Sequence, residues 1–530
     1  MTPIKTATVT HRPSATRRAA VLLLLGAVLA VTLAWAFWRG QPVALSEISA
    51  DVRLPCVSYA PFRRAGDTPF DPALRIAPAA IEADLRRLAT VTGCVRTYGL
   101  DHGLDAVPAI ARQLGLRVVL GAWIGRDVAV NEIQLQRALQ LAREYQDVVQ
   151  LLVVGNEVLL RGDLPAAELA GLLARAHRAS PVPVTYADVW EFWLRHAPIL
   201  REHVDVVAAH ILPYWEDEPV DIDQAVDHVY AIAAQMKAAF GEMPVFVAET
   251  GWPAAGRQRG PSVPGHLEQA RFVRELLARQ AIEPLPFNLI EGFDQPWKRD
   301  LEGAMGGAWG LFNAAGELRV PLAGPVIPDP HWFWLPVAAV LGAAGAWVAG
   351  YLRRRESDVP LLALTLAGAL IGAFAWLQAV ALPLWSRSGW EWAVGIVTLG
   401  LSVLCSFAAA GRLTQVLRGE TGRAHLLAMM LFALLAVVAN EAVGLVFDAR
   451  YRPLPWPGIA APALLMVILA WLGDRMPAGA RVERLLAAVC AFCAVLVAVL
   501  EGVANGQALL YAALLMVLAL STLWPPRHSS

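Results

Sequence analysis

Two kinds of hydrophobic pattern divide this chain. From residue 54 onward, short apolar, β-branched runs alternate with longer segments whose apolar positions lie three and four apart. The short runs are LPCVSYAPF, CVRTYG, LRVVLGAWIG, VVQLLVVGNE, PVPVTYAD, VDVVAAHILPYW, MPVFVAET and PFNLIEGFDQPWK. Runs of this kind read as strands buried on both faces. Between them, IEADLRRLATVTG, LDAVPAIARQLG, NEIQLQRALQLAREYQ and LPAAELAGLLARAHRA carry helical spacing, and further helices are expected at 190–201, 221–240 and 266–282. Strands separated by helices imply βαβ units and a parallel sheet. Eight units in about 270 residues predict an α/β fold, a (β/α)8 TIM barrel over residues 54–322. The runner-up, an open doubly wound sheet, lacks a GxGxxG after any strand.

The second pattern is unbroken apolar sequence. Residues 19–38 are about long enough to cross a bilayer, with Arg12, Arg17 and Arg18 before them and Trp35, Phe37 and Trp38 at the end. They are expected to be an uncleaved signal anchor, with a cleaved signal peptide as the alternative. Seven more runs follow at 332–351, 359–382, 390–410, 425–447, 457–472, 485–505 and 507–524, the fifth being short and starting among prolines. The expected layout is a tail (1–18), the anchor (19–38), a linker (39–53), the barrel (54–322), a linker (323–331), an all-α seven-helix membrane region (332–524) and a tail (525–530).

Basic residues alternate across the loops. Arg353, Arg354 and Arg355, then Arg412, Arg418 and Arg423, then Arg475, Arg481 and Arg484 fall on one side; the other holds only Arg387, Arg450 and Arg452. By the positive-inside rule both termini are cytoplasmic and the barrel faces outward, into the periplasm of a bacterium with two membranes. Asn440, Glu441 and Glu501 are polar intruders in these spans. Intramembrane carboxylates are functional candidates by default, with helix–helix hydrogen bonding as the plainer reading.

Composition sharpens this picture only in places. Hydrophobic residues make up 57% of 530, and the formal net charge of -1 gives no reason to expect a nucleic-acid partner. Mean hydropathy is +0.48, above a soluble globular chain. Cys56 and Cys94 each lie at or near the start of an expected strand and are read as a buried free-thiol pair, since a bridge demands specific geometry. Cys490 and Cys493 form a CxxC inside an apolar helix, where a redox role is not expected.

Chemistry gathers at the carboxyl ends of the strands, where barrels build active sites. Arg96, Tyr98, Trp123, Asn156, Glu157, Tyr186, His210, Tyr214, Trp215, Glu249, Trp252, Glu291 and Asp294 all fall there, with Trp297 and Lys298 just beyond. Aromatic rings stack on pyranose faces, and acids and amides bond hydroxyls, so a sugar polymer suits this rim. One histidine at the rim disfavours a metal, and no cofactor is expected. Glu157 and Glu249, ending the fourth and seventh strands, are the candidate catalytic pair for glycosidic-bond cleavage. A carboxyl separation of about 5–5.5 Å means a retaining mechanism, and about 6.5–9.5 Å an inverting one.

VSYAPFR, DLRRLATVTGCVRTYG, LGAWIGRD, VVGNEVLLR, AAHILPYWE, VAETGWP, EGFDQPWK and AWGLF together resemble glycoside hydrolase family 17, the β-1,3-glucanases, in its bacterial membrane-anchored branch. The resemblance spans residues 57–312. It implies a retaining barrel enzyme with Glu157 as acid/base and Glu249 as nucleophile, acting on periplasmic β-glucans by hydrolysis or transfer, beside the bilayer and a separate glucan synthase. Gln295 stands nearest the place of a further glutamate in plant members, so that residue's role does not carry over. No QxxRW occurs, and the one DxD-like string is Asp221 to Asp223, so polymerisation from a sugar nucleotide is not expected. The alternatives are a catalytically silent glucan-binding or export module, and a carrier built from the seven spans.

Overall fold

The computed structural model describes residues 12–49, 52–352, 358–420, 424–474 and 481–523. The basic residues Arg353, Arg354, Arg355, Arg423 and Arg475, most of the N-terminal tail and the C-terminal tail lie outside them. Two compact units form, one of residues 43–326 and one of residues 1–42 with 327–530.

The first unit is a closed barrel of eight parallel strands in chain order. They are β1 (Cys56–Ser58), β2 (Cys94–Arg96), β3 (Arg117–Ala122), β4 (Val149–Asn156), β5 (Val184–Val189), β6 (Val207–His210), β7 (Val245–Thr250) and β8 (Phe287–Leu289). Counting the Ala15–Arg39 helix of the other unit as α1, the helices between strands are α2 (Pro78–Leu88), α3 (Val107–Leu114), α4 (Val128–Glu144), α5 (Ala166–Ala179), α6 (Trp190–Leu200), α7 (Ile222–Phe240) and α8 (His266–Ile282), and a one-turn α9 (Arg299–Glu302) follows β8.

Local sequence explains the element ends. α2 buries Ile81, Leu85 and Leu88, one face at helical spacing; each contributes about 1.5–3 kcal/mol by leaving water. α3 stops where Gly115 turns left-handed. Asp127 and Asp221 cap α4 and α7 by accepting from the first backbone N–H groups. The Asp221 to Asp223 string is thus a helix start, and Asp223 is spent on Arg271.

Alternation sorts each strand between two cores. Val119, Leu151, Val153, Ala187, Ala208, Phe246 and Ala248 fill the barrel interior. Val118, Leu120, Leu152, Val154 and Val247 face the helix layer. Strict alternation from Val247 would therefore aim Glu249 outward. Pairing along β7 skips a residue instead: Ala209 sits opposite Val247, but His210 sits opposite Glu249. The same occurs in β4, where Val153 faces Thr185 and Asn156 faces Ala187. The extra β4 residue falls at or beside Gly155, which has φ +89° and no room for a side chain, because a Cβ there would lie 2.7 Å from Val158. Each bulge re-aims the residues after it.

Cys56 and Cys94 form a disulfide with Cα atoms 4.4 Å apart, correcting the expectation of free thiols. Parallel pairing of Val57 with Val95 sets the two cysteines side by side at the start of adjacent strands. The sequence showed both strand starts but not their register.

The second unit holds α1 and the helices α10 (Trp334–Leu352), α11 (Asp358–Trp385), α12 (Gly389–Arg418), α13 (His425–Phe447), α14 (Pro457–Trp471), α15 (Arg481–Glu501) and α16 (Gly506–Leu523). Seven of these are long and apolar enough to cross a membrane; α14 is not among them. At 15 residues α14 spans roughly 22 Å. Its first turn nevertheless packs on Gln378, seven residues from the end of α11, and Asp474 just past its end pairs with Arg412, six residues from the end of α12. It is therefore mostly buried against neighbouring helices. α10 and α11 touch through Gly342, Gly368 and Gly372, where a Cβ would lie 2.2–2.5 Å from facing atoms, among them the carbonyls of Ala338, Gly342 and Gly368. Small residues allow such close backbone approach.

Replacing Cys56 and Cys94 together by Ser should lower the unfolding free energy of the full chain in detergent by about 2–4 kcal/mol. Denaturant midpoints followed by near-ultraviolet circular dichroism, with reductant reproducing the effect in the unmutated chain, measure this.

Candidate active site

The two bulges and the strand ends bring Glu157 and Glu249 together. One carboxylate oxygen from each, and a ring nitrogen of His210, all lie within 4.8 Å of one another. His210 Nδ1 is 3.0 Å from Glu157 Oε1, and its Nε2 is 3.6 Å from Glu249 Oε1. His210 is buried, whereas the Glu157 side chain is 26% exposed.

Glu157 follows β4 with a left-handed backbone at φ +53°, a conformation that costs a non-glycine residue roughly 1–2 kcal/mol. Neighbouring bonds hold it there. Its N–H donates to Ala187 of β5 at 2.7 Å, and its carbonyl accepts from Arg161 N–H at 2.8 Å. The Arg161 guanidinium donates to the carbonyl oxygens of Asn156 and of Ile124. It also lies 4.3 Å from the centre of the Trp123 ring. Trp123, partly exposed, is thereby a backed aromatic platform beside Glu157.

Glu249 is almost fully buried among cations. Arg96 Nη1 donates to Glu249 Oε1 and to the Ala248 carbonyl, both at 2.8 Å, while Nη2 donates to Asn156 Oδ1 at 2.6 Å. Burial alone would raise the Glu249 carboxyl. His210, Arg96 and Lys298, with a hydrogen bond from Tyr98, outweigh it and hold the group below its ordinary value. Tyr98 is itself raised well above the usual phenol range, by burial and then by Glu249, so it stays a donor. Ser58 shares a 2.8 Å hydrogen bond with Tyr98 and accepts from Asn288 at 2.7 Å.

Beyond Glu249, Lys298 Nζ lies 3.2 Å from both oxygens of Glu291. Burial would lower the ammonium, but Glu291, Glu302 and Glu249 outweigh it and keep it charged. Burial pushes Glu302 up to about 7 against the pull of Lys298. The Glu157, His210 and Glu249 atoms could also bracket a metal ion, yet a guanidinium already sits on Glu249 Oε1, and a cation added there would face its charge.

Some expected contact residues are buried in the walls of the site. Tyr186, Tyr214 and Trp252 are buried, and their polar atoms bond Asp188, the Arg257 carbonyl and the Val263 carbonyl. Asp294 is spent on Arg319 and on Gly310 N–H. Trp215 lies stacked on Tyr214, with Arg259 over its ring at 5.0 Å. Trp297 Nε1 donates to Gln295, whose amide donates to the carbonyl of Ala60; the departure at Gln295 is thus a packed loop support. Residues missed in the sequence are Arg161, Asp188, Ser58, Asn288 and Glu302. Asp188 lies one residue before the end of β5, a position visible in the sequence, and is raised by burial; Glu302 stands one helical turn past Lys298, in a turn that periodicity does not mark.

Residues 56–310 match the family model of the BtgE/BtgC glycoside hydrolase domain. A probable beta-glucosidase btgE of Aspergillus fumigatus is 30% identical over 225 residues, which is 41% of this chain and 39% of that protein. A glucan 1,3-beta-glucosidase of Schizosaccharomyces pombe is 28% identical over 239 residues, covering 41% of this chain and 73% of that one. An active-site mutant of Rhizomucor miehei beta-1,3-glucanosyltransferase, solved with laminaritriose, shares 22% identity and a TM-score of 0.46, covering 52% of this chain and 99% of that one. Over residues 56–310 the barrel is therefore similar to the BtgE/BtgC glycoside hydrolase domain. The chain spans about two fifths of the length of the A. fumigatus relative.

Arg96→Met should raise the Glu249 pKa and move the acid limb of the kcat/KM profile to higher pH. Tyr98→Phe should shift it the same way by less. A pH–rate series on a laminari-oligosaccharide, with circular dichroism as the folding control, checks both.

Proposed function

We propose that this chain is a membrane-anchored, retaining β-1,3-glucan hydrolase or glucosyltransferase that synthesises or remodels periplasmic β-glucans. The observation that carries the reading is the pair of carboxyl groups, within 4.8 Å of each other at one barrel mouth, with one of them held ionised by Arg96. So close an approach supports the retaining class over the inverting one, which leaves room for a water between the groups. The glucan specificity of the relatives supports the substrate class.

In the first step Glu157 donates its carboxyl proton to the glycosidic oxygen. The bond between that oxygen and the anomeric carbon breaks, and a Glu249 oxygen bonds the anomeric carbon. The environment of Glu249 fits a nucleophile: Arg96 and Lys298 keep it anionic, and Tyr98 and Arg96 fix its direction. In the second step Glu157, now a carboxylate, takes a proton from water or from a sugar hydroxyl. That oxygen attacks the anomeric carbon and releases Glu249. Water gives hydrolysis and a sugar gives transfer. Asn156, held by Arg96, is positioned to meet the sugar 2-hydroxyl, and Trp123 to stack on a ring.

The membrane-length helices support a reading of the chain as a bacterial inner-membrane protein. Arg17 and Arg18 in the first turn of α1, Arg412 and Arg418 in α12, and Arg481 and Arg484 in α15 support cytoplasmic loops on one side. The Cys56–Cys94 disulfide supports an oxidising compartment for the barrel.

Glu249→Ala and Glu157→Gln should each reduce turnover of laminari-oligosaccharides by at least about 10³-fold, with folding retained. Sizing the products of the unmutated chain separates the two outcomes, since longer oligomers mean transfer and only shorter ones hydrolysis. Binding without any product from the unmutated chain would instead identify a silent glucan-binding module.

A further inference from the structure

The helical unit contains a cavity of about 350 Å³, lined by both polar and apolar side chains, where the C-terminal ends of α11 and α13 meet the N-terminal end of α12. That volume is at the small end of ligand pockets, which run from about 300 to 1,000 Å³. The Arg387 guanidinium holds Glu391 at 2.6 Å and Asp448 at 3.3 Å. Arg452 approaches Asp448 at 3.2 Å. These charges satisfy one another along one wall. The opposite condition holds deeper in. Gln378 is 1% exposed, and its amide oxygen has no hydrogen-bond partner. Glu441 Oε1 accepts from Thr398 at 3.0 Å, but its Oε2 is buried without a partner. Gly458 leaves the space the Gln378 amide needs, since a Cβ there would lie 3.2 Å from it. Two indoles, Trp385 and Trp390, complete the lining, and Trp390 is 70% exposed at the rim.

Buried acceptors without partners cost free energy unless a ligand supplies donors. Both orphaned atoms are acceptors, so the missing ligand brings hydroxyl or amine donors. A phosphate offers acceptors and would meet the carboxylates of Glu391, Glu441 and Asp448. A small cation would use Glu441 and an indole face, but it would meet the guanidinium charges of Arg387 and Arg452 along the wall. A neutral polyhydroxylated ring satisfies all three features. From this we infer that the cavity binds a saccharide, the end of a β-glucan chain, at a second site separate from the barrel mouth. The choice of glucan rests on the reading proposed for the barrel; the saccharide class rests on the cavity.

The test uses the full chain in phospholipid nanodiscs, carrying Glu249→Ala to stop turnover, titrated calorimetrically with laminaritriose. The inference expects two sites per chain. Trp390→Ala, at an exposed position that folding does not depend on, should weaken one of them roughly tenfold and leave the other. Gln378→Leu should do the same, with its melting temperature as the folding control. A single site unchanged by Trp390→Ala overturns the inference. So does a second site that glycerol 3-phosphate fills and laminaritriose does not. Failure of the barrel reading has its own signature: the unmutated chain would turn over no laminari-oligosaccharide, whatever the number of sites.

Discussion

One buried cation organises the barrel mouth. Arg96 rises from β2 and spends its guanidinium on Glu249, on the carbonyl beside it and on Asn156. A buried carboxylate is costly without a partner, and so is a buried guanidinium. Here each resolves the other, and the pairing ties together strands two, four and seven, which are not neighbours in the sheet. The electrostatic state of Glu249 and the position of Asn156 thus depend on the same side chain. Tyr98 and Lys298 work on a carboxylate that Arg96 has already placed.

Much of this was legible before any coordinates. Eight apolar runs alternating with helices, none followed by a GxGxxG, favour a closed parallel barrel over an open sheet, and polar residues at their ends collect at one rim. What was not legible depends on register. The disulfide needs Cys56 opposite Cys94, which two separate strand starts do not reveal. The bulges in β4 and β7 need a residue skipped in pairing, and a run such as VVGNEV shows only that a glycine is available for it. Side-chain direction past a strand end is set by loops. Tyr214 and Trp252 therefore looked like sugar platforms, yet their polar atoms bond loop carbonyls. Glu302 escaped notice because it follows the last strand, in a single helical turn that periodicity does not mark.

The membrane unit obeys a different economy of contacts. Helices of membrane-spanning length would gain no hydrophobic drive to associate in a bilayer, where close approach and polar pairs would have to supply it. Gly342, Gly368 and Gly372 let two backbones meet, and Arg412 with Asp474 secures the end of the short α14. Side-chain oxygens of Gln378, Ser406, Glu441, Tyr511 and Thr522 are buried without a partner, and of these residues Gln378 and Glu441 line the cavity.

Gly155 carries a last implication. The residue permits the extra step in β4, and both Asn156 and Glu157 take their aim from it. Any larger residue there would collide with Val158 and resist the left-handed backbone. Straightening that strand would rotate the amide and the acid away together while leaving the surrounding scaffold its packing. Loss of catalysis in a descendant of this fold therefore has a one-codon route that spares the architecture, and a ligand-holding remnant could be reached without passing through a half-active enzyme.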